Sequence, residues 1–189
     1  MQKLIENAEL RVTRQSSLVA TILKEIRVEK GIHQAVIADK IGKSQGALAK
    51  IESGKSALAV DVLFVLCNAL FVSTSTVISS AERHAGLLGS KGWAVTSSDS
   101  ALDGGDGVLI GAEQYYLSQG FKRRTQQLQV NAMGYNTGFH GISGISVLNS
   151  PIYGHDGMIN VVDVFRFMLD PAFNAEQMAI QPQVLSGNF

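Results

Sequence analysis

Three glycines, Gly31, Gly42 and Gly54, cut the stretch from residue 18 to 54 into short runs, and each run carries apolar residues at helical spacing. Leu18, Ile22 and Ile26, with Val19 and Leu23 beside them, recur at i, i+3 and i+4. They predict an amphipathic helix over 18–30 that Gly31 stops. A second short helix is expected over 33–41, with Ala35, Ala38 and Ile41 inward and Gly42 ending it. Ser44 is a good N-cap for a third helix ending at Gly54, anchored by Leu48 and Ile51. Chains this short in helix and this regular in punctuation fold as small bundles in which each helix is packed by its neighbours.

The pattern continues. Residues 60–72 are so apolar that a central helix is expected, and Ser73-Thr74-Ser75 can cap a fifth helix running to about Leu88. Residues 2–16 would add a leading helix or a flexible arm. Composition shifts near residue 90: thirteen of the nineteen glycines fall at or after Gly92, and after Arg124 only Arg166 remains of the lysines and arginines. The expected organisation is therefore a first domain over 1–89, a linker or turn over 90–107, and a second domain over 108–189.

The run from Ile26 to Val77, IRVEKGIHQAVIADKIGKSQGALAKIESGKSALAVDVLFVLCNALFVSTSTV, resembles the Cro and phage-repressor (XRE-type) helix-turn-helix family. The matching features are Arg27 and Gly31, Gln34 opening the second helix, Ala38 at the helix crossing, and Gly42 in the turn. Ile51-Glu52-x-Gly54-Lys55 closes the third helix, and Leu66 with Ala69-Leu70 follow. The resemblance implies a lambda-repressor-like, all-α, five-helix domain that binds double-stranded DNA. Its third helix, 44–53, would lie in the major groove. It places Gln45, Gly46 and Ala47 at base-reading positions. Gln34 would reach a phosphate or brace Gln45, and Lys43, Ser44, Lys50 and Lys55 would face the DNA backbone. His33, Arg11 and Arg14 are minor candidates. Gln45 can pair with adenine and Ala47 can touch a thymine methyl, but Gly46 offers no side chain, so one copy would read few bases. Specificity is then expected from two or more copies, from DNA shape, or from the N-terminal segment.

Charge agrees with that division. Residues 1–91 hold twelve Lys plus Arg against eight Asp plus Glu, a net of +4; residues 92–189 hold four against eight, a net of −4. A front half that meets a polyanion and a back half that does not would be arranged so. Only 17% of residues are charged, against about 25% in typical soluble domains, which suggests surface buried in an assembly. No apolar run is long enough for a membrane helix, the N-terminus lacks a signal peptide's apolar core, and Cys67 is the only cysteine. A cytoplasmic, nucleoid-associated protein of prokaryotic or phage type is expected, with no membrane partner.

The back half is less legible. Short β-rich runs at 108–110, 128–130, 144–148 and 159–165, with helical patterns at 112–118 and 174–179, suggest a Gly-rich α+β or mostly β domain. The overall fold class expected is α+β. The remaining chemistry-bearing residues read blandly. Cys67 suits a buried apolar site, and His33 a helix cap. His140 and His155 lack metal-ligand spacing, and Lys122-Arg123-Arg124 suits a solvated turn. The acidic glycine run 103–107 suits a turn. Tyr115, Tyr116, Phe121, Phe139, Phe165 and Phe167 suit core or subunit interface. Repressors of the resembled type often carry a self-cleaving Ser–Lys domain cut at an Ala-Gly bond. Ala85-Gly86 is present, but the last lysine is Lys122, too early for that dyad, and arginine stays charged. No catalytic residues, metal or cofactor are expected.

The reading that follows is a DNA-binding transcriptional regulator, a repressor, acting as a homodimer or larger assembly through residues 90–189. The alternative is a structural protein whose back domain builds a higher-order assembly and whose helix-turn-helix tethers DNA or docks protein. A third is a regulator sensing an unknown small molecule.

Overall fold

The computed structural model describes residues 11–97, 105–124, 146–153 and 159–180. Strand β1 (Val12–Arg14) leads directly into α1 (Gln15–Glu29), followed by α2 (Gln34–Lys40), α3 (Gln45–Glu52), α4 (Val60–Ala69) and α5 (Thr74–Ser90). Strand β2 (Ala94–Thr96) then pairs in parallel with β1, Val12 opposite Ala94 and Arg14 opposite Thr96. Beyond it lie α6 (Gly107–Leu117), a helical segment over 119–124, α7 (Ser146–Asn149), α8 (Asp163–Leu169) and α9 (Pro171–Ala179). Between α7 and α8, β3 (Ile152–Tyr153) and β4 (Ile159–Asn160) form a two-stranded antiparallel pair.

Helix α1 organises the molecule. It touches α3 on one side and α5, α6 and α7 on the others, so its stripe of Leu18, Ile22 and Ile26 is fully buried. Truncating any of the three to alanine is expected to cost about 2–5 kcal/mol through lost burial and the cavity left behind. The helices around it end where the glycines stand. Gly42 and Gly54 have φ of +65° and +67°, a conformation that a side chain resists. Gly54 has a second reason to be small: a Cβ there would collide with the Leu109 side chain of α6.

One apolar core runs through both halves, from Leu18 and Leu48 to Tyr115, Phe165 and Phe173. The span expected as linker takes part in this. Its residues 94–96 form β2, and Asp106 is buried at the N-cap of α6. Residues 98–104 lie outside the described set.

The described part of the back half is mostly helical, with a few short strands, rather than mostly β. Residues 108–110 lie in α6 because Asp106 accepts from the Val108 and Leu109 amides and starts a helix whose inward side is apolar. Residues 146–148 lie in α7, and only residues 159–160 of the run 159–165 are extended before α8 begins. The run at 128–130 lies outside the described residues, as do Phe139, His140 and His155. Asp170 caps α9 through the Ala172 and Phe173 amides, with Pro171 in its first turn.

Two front-half expectations also change. Residues 12–14 of the proposed leading helix are a strand, because β2 offers them a backbone partner; residues 1–10 lie outside the described set. Helix α4 is peripheral, not central. It packs along one stripe against α2 and α5, burying Leu66 and Cys67, while Val60 stays 65% exposed and Phe64, Val65 and the following Phe71 are also exposed. In α2, Ile37 is the fully buried residue beside Ala38, whereas Ala35 and Ile41 are only partly covered.

Candidate nucleic-acid interface

The two helices of the motif pack against each other with Ala38 buried, and the short turn through Gly42 joins them. Leu48, Ile51 and Glu52 turn inward, so the first turn of α3 stands out into solvent. Ser44 caps it, its hydroxyl accepting from the Ala47 amide at 3.2 Å. Gln45 and Gly46 are exposed and Ala47 half-buried, and nothing lies within 4 Å of where a Gly46 side chain would begin. The exposed end of α3 therefore offers one amide side chain, two small residues and the positive end of a helix.

A chain of side-chain hydrogen bonds reaches Gln45 from the core. Arg27 donates to both carboxylate oxygens of Glu52, at 2.6 and 2.8 Å, and to the Ile32 carbonyl at 3.0 Å. Gln34 donates to Glu52 Oε2 at 2.9 Å, and its own oxygen accepts from Gln45 Nε2 at 3.5 Å. The two-pronged guanidinium–carboxylate contact is planar and directional, so it fixes Glu52, which orients Gln34. The chain ends at the exposed Gln45, whose amide nitrogen stands 3.5 Å from the Gln34 oxygen.

The other expected residues divide. Lys43 and Lys50 are exposed near α3. His33 is exposed and caps α2, its Nδ1 accepting from the Ala35 amide at 3.2 Å. Lys55 is exposed but sits 4.0 Å from Glu113 of α6. Arg14 turns away from this face: its Nε lies 3.5 Å from Asp106 and its amide donates to the same carboxylate at 3.0 Å. Arg11 is held by its carbonyl, which accepts from the Ala94 amide beside β2. Gln34 and Gln45 are thus brought together beside the Ser44 cap, Lys43 and Lys50 are exposed, and Lys55 and Arg14 face acidic partners on or before α6.

Sequence reasoning named Arg27 and Glu52 as motif residues without seeing that they carry the bracing chain. It also missed the contacts that fasten this domain to the back half. Asp106 accepts from the Thr13 hydroxyl at 2.7 Å and the Ser17 hydroxyl at 2.6 Å while capping α6. Arg124, expected in a solvated turn, is turned inward. It pairs with the fully buried Glu25 at 2.9 Å, approaches Glu29 and Asp163, and donates to the Tyr115 hydroxyl at 3.2 Å. Burial acts to lower the Arg124 pKa, but Glu25 and the Tyr115 hydroxyl outweigh it and raise it. An Asp directly before an apolar helical run was the available signal for Asp106; Arg124 carried none.

Taken together, a small-residue helix crossing, a positive-φ turn and an outward, capped helix end define a helix-turn-helix DNA-binding segment. Residues 23–77 match the model of the Helix-turn-helix family, and the segment is of the XRE type that its resemblance to Cro and phage repressors implied. This is the class of domain used by DNA-binding regulators. No curated protein and no solved structure matches the chain. Among the described residues no single helix is long and apolar enough to cross a membrane, and no group of three or more His, Cys, Asp or Glu could hold a metal.

Proposed function

We propose that the protein is a sequence-specific transcriptional regulator, a repressor, that binds operator DNA as a homo-oligomer with the N-terminal end of α3 in the major groove. The observation that carries this reading is Gln45, exposed at the tip of α3 and braced through Gln34 and Glu52 to Arg27. A glutamine held in this way can make two hydrogen bonds to the N6 and N7 edge of adenine, worth about 1–3 kcal/mol of discrimination. Lys43 and Lys50 would neutralise flanking phosphates, and the Ser44-capped helix end adds amide donors.

One braced glutamine beside Gly46 and Ala47 is too little for an operator, so the reading requires repetition. Two copies on a two-fold site would double the base contacts, with half-sites about 34 Å apart. Exposed Leu117, Ile152, Tyr153 and Met178 support self-association through residues 90–189. Selection from a random DNA library by the full-length protein at near-physiological salt tests this. A two-fold symmetric site is expected; unselective, salt-sensitive binding to all DNA would overturn it.

The same Gly46 and Ala47 favour a second reading, in which the helix-turn-helix only tethers DNA and the back half builds an assembly. Exposed Val60, Phe64, Val65 and Phe71 give the front half a further contact surface. Sedimentation separates the two: a discrete dimer or tetramer supports the regulator, an open-ended polymer the scaffold.

A further inference from the structure

Between α1, the C-terminal end of α3 and α6 lies a cavity of about 620 Å³. That is within the usual range of small-molecule sites, roughly 300–1,000 Å³. Its walls are Leu109, Ile110, Ala112, Tyr116 and Leu117 from α6, facing Glu52 to Lys55 at the end of α3. Lys24 of α1 reaches into it, with Nζ 3.4 Å from the centre of the Tyr116 ring.

The charges around this space are nearly all matched. Arg14 is with Asp106, Lys55 with Glu113, and Glu52 is fully engaged by Arg27 and Gln34. Lys24 is the exception: among the described residues no carboxylate lies within 4 Å of its Nζ, which stands over the Tyr116 ring. Burial lowers its pKa to about 8, with Glu52, Glu25 and Glu113 acting to raise it and Arg27 to lower it. It is therefore a protonated, poorly solvated cation at neutral pH, at the side of an apolar chamber.

We propose that this cavity is a binding site for a small monocarboxylate with an apolar body, the carboxylate on Lys24 and the hydrocarbon against Leu109, Tyr116 and Leu117. The ligand gives Lys24 a direct ion-pair contact and removes apolar wall from water. The site also adjoins the recognition helix. Glu52 belongs to both, and the Leu109 side chain lies against Gly54, just past the end of α3, so closely that no Cβ fits between. Occupancy that shifts α6 or Glu52 changes the brace on Gln45, so the ligand regulates operator affinity. This regulatory part rests on the DNA-binding reading above; ligand binding itself does not.

Calorimetric titration of the full-length protein, without DNA, uses octanoate as the probe and octan-1-ol as its neutral counterpart. Saturable binding of octanoate is expected, about tenfold or more tighter than octan-1-ol. Lys24→Met, which removes a desolvated charge and keeps the stem, should lose that preference, and Lys24→Arg should keep it. No octanoate binding at millimolar concentration, or equal binding by wild type and Lys24→Met, overturns the site. Operator affinity measured with and without octanoate then tests the coupling. A change of about threefold or more in wild type but not in Lys24→Met supports it, and no change overturns it. A protein that binds no operator at all defeats the DNA reading while the calorimetric result still decides the site.

Discussion

Arg27 and Arg124 perform the same physical act in two regions of the molecule: each carries its guanidinium out of water to meet a buried carboxylate of a neighbouring helix. Arg27 meets Glu52, 25 residues away, and steadies α3. Arg124 meets Glu25, 99 residues away, and ties the back half to α1. The first pair lies inside a motif whose spacing is compact, so its residues stand out in the sequence. The second closes a long loop that no local pattern announces. Short-range bracing is what makes the DNA-binding segment legible, and long-range clamping is what joins it to the rest.

Breaking the second pair should have the largest effect. Arg124→Met leaves Glu25, fully buried, without its cation and is expected to cost about 3–5 kcal/mol in urea denaturation. Adding Glu25→Gln should recover most of that loss. If Arg124→Met is as stable as wild type, the clamp between the halves is not there.

Acid should weaken the same join. His84 of α5 is fully buried, donates from Nδ1 to the Ser80 carbonyl at 2.8 Å and stacks on Phe165 of α8 at 4.2 Å. Burial lowers its pKa to about 4 from an ordinary 6.5. The unfolded chain therefore takes up a proton first. The His84 contribution is whole above about pH 6.5 and is lost as pH falls towards 4, roughly 3 kcal/mol in all. Glu29, whose pKa burial raises, acts in the opposite sense. The difference in pH dependence between wild type and His84→Gln isolates the histidine, and parallel stability profiles would contradict its assignment.

Asp106→Ala should cost less, about 2 kcal/mol, by removing the cap of α6 and stranding the buried Thr13 and Ser17 hydroxyls. Thermal unfolding reads it, and an unchanged midpoint would show that the β1–α6 contact is dispensable. At the exposed end of the comparison, Lys50→Ala should leave stability within about 0.5 kcal/mol. It should weaken binding to every DNA and reduce the salt slope by about one. A loss confined to particular sequences would move Lys50 from phosphate to base contact.

The front of the chain could be read because its signals are local. Gly31, Gly42 and Gly54 stand at helix ends with positive φ, Ser44 caps α3, and Leu48 with Ile51 turns the helix inward. Apolarity alone misled at α4, where Phe64 and Val65 proved to be surface. Hydrophobicity says that a face wants cover, not that this chain provides it. In the back half, the β-prone Val108-Leu109-Ile110 was drawn into α6 by the Asp106 cap and by packing on α1, a tertiary override of local preference. The bracing of Gln45 was half legible: the residues were present in the motif, but the role of Glu52 as the shared acceptor required the fold.

In the proposed function Gln45, held by Gln34, reads a base. The most direct test measures wild-type and Gln45→Ala affinities for the selected site and for each of its single-base-pair variants, using the full-length protein. Gln45→Ala is expected to lose discrimination of about 1–3 kcal/mol at one base pair per half-site and to keep the wild-type ranking elsewhere. If wild type and Gln45→Ala rank every DNA alike, α3 does not read DNA through its exposed end.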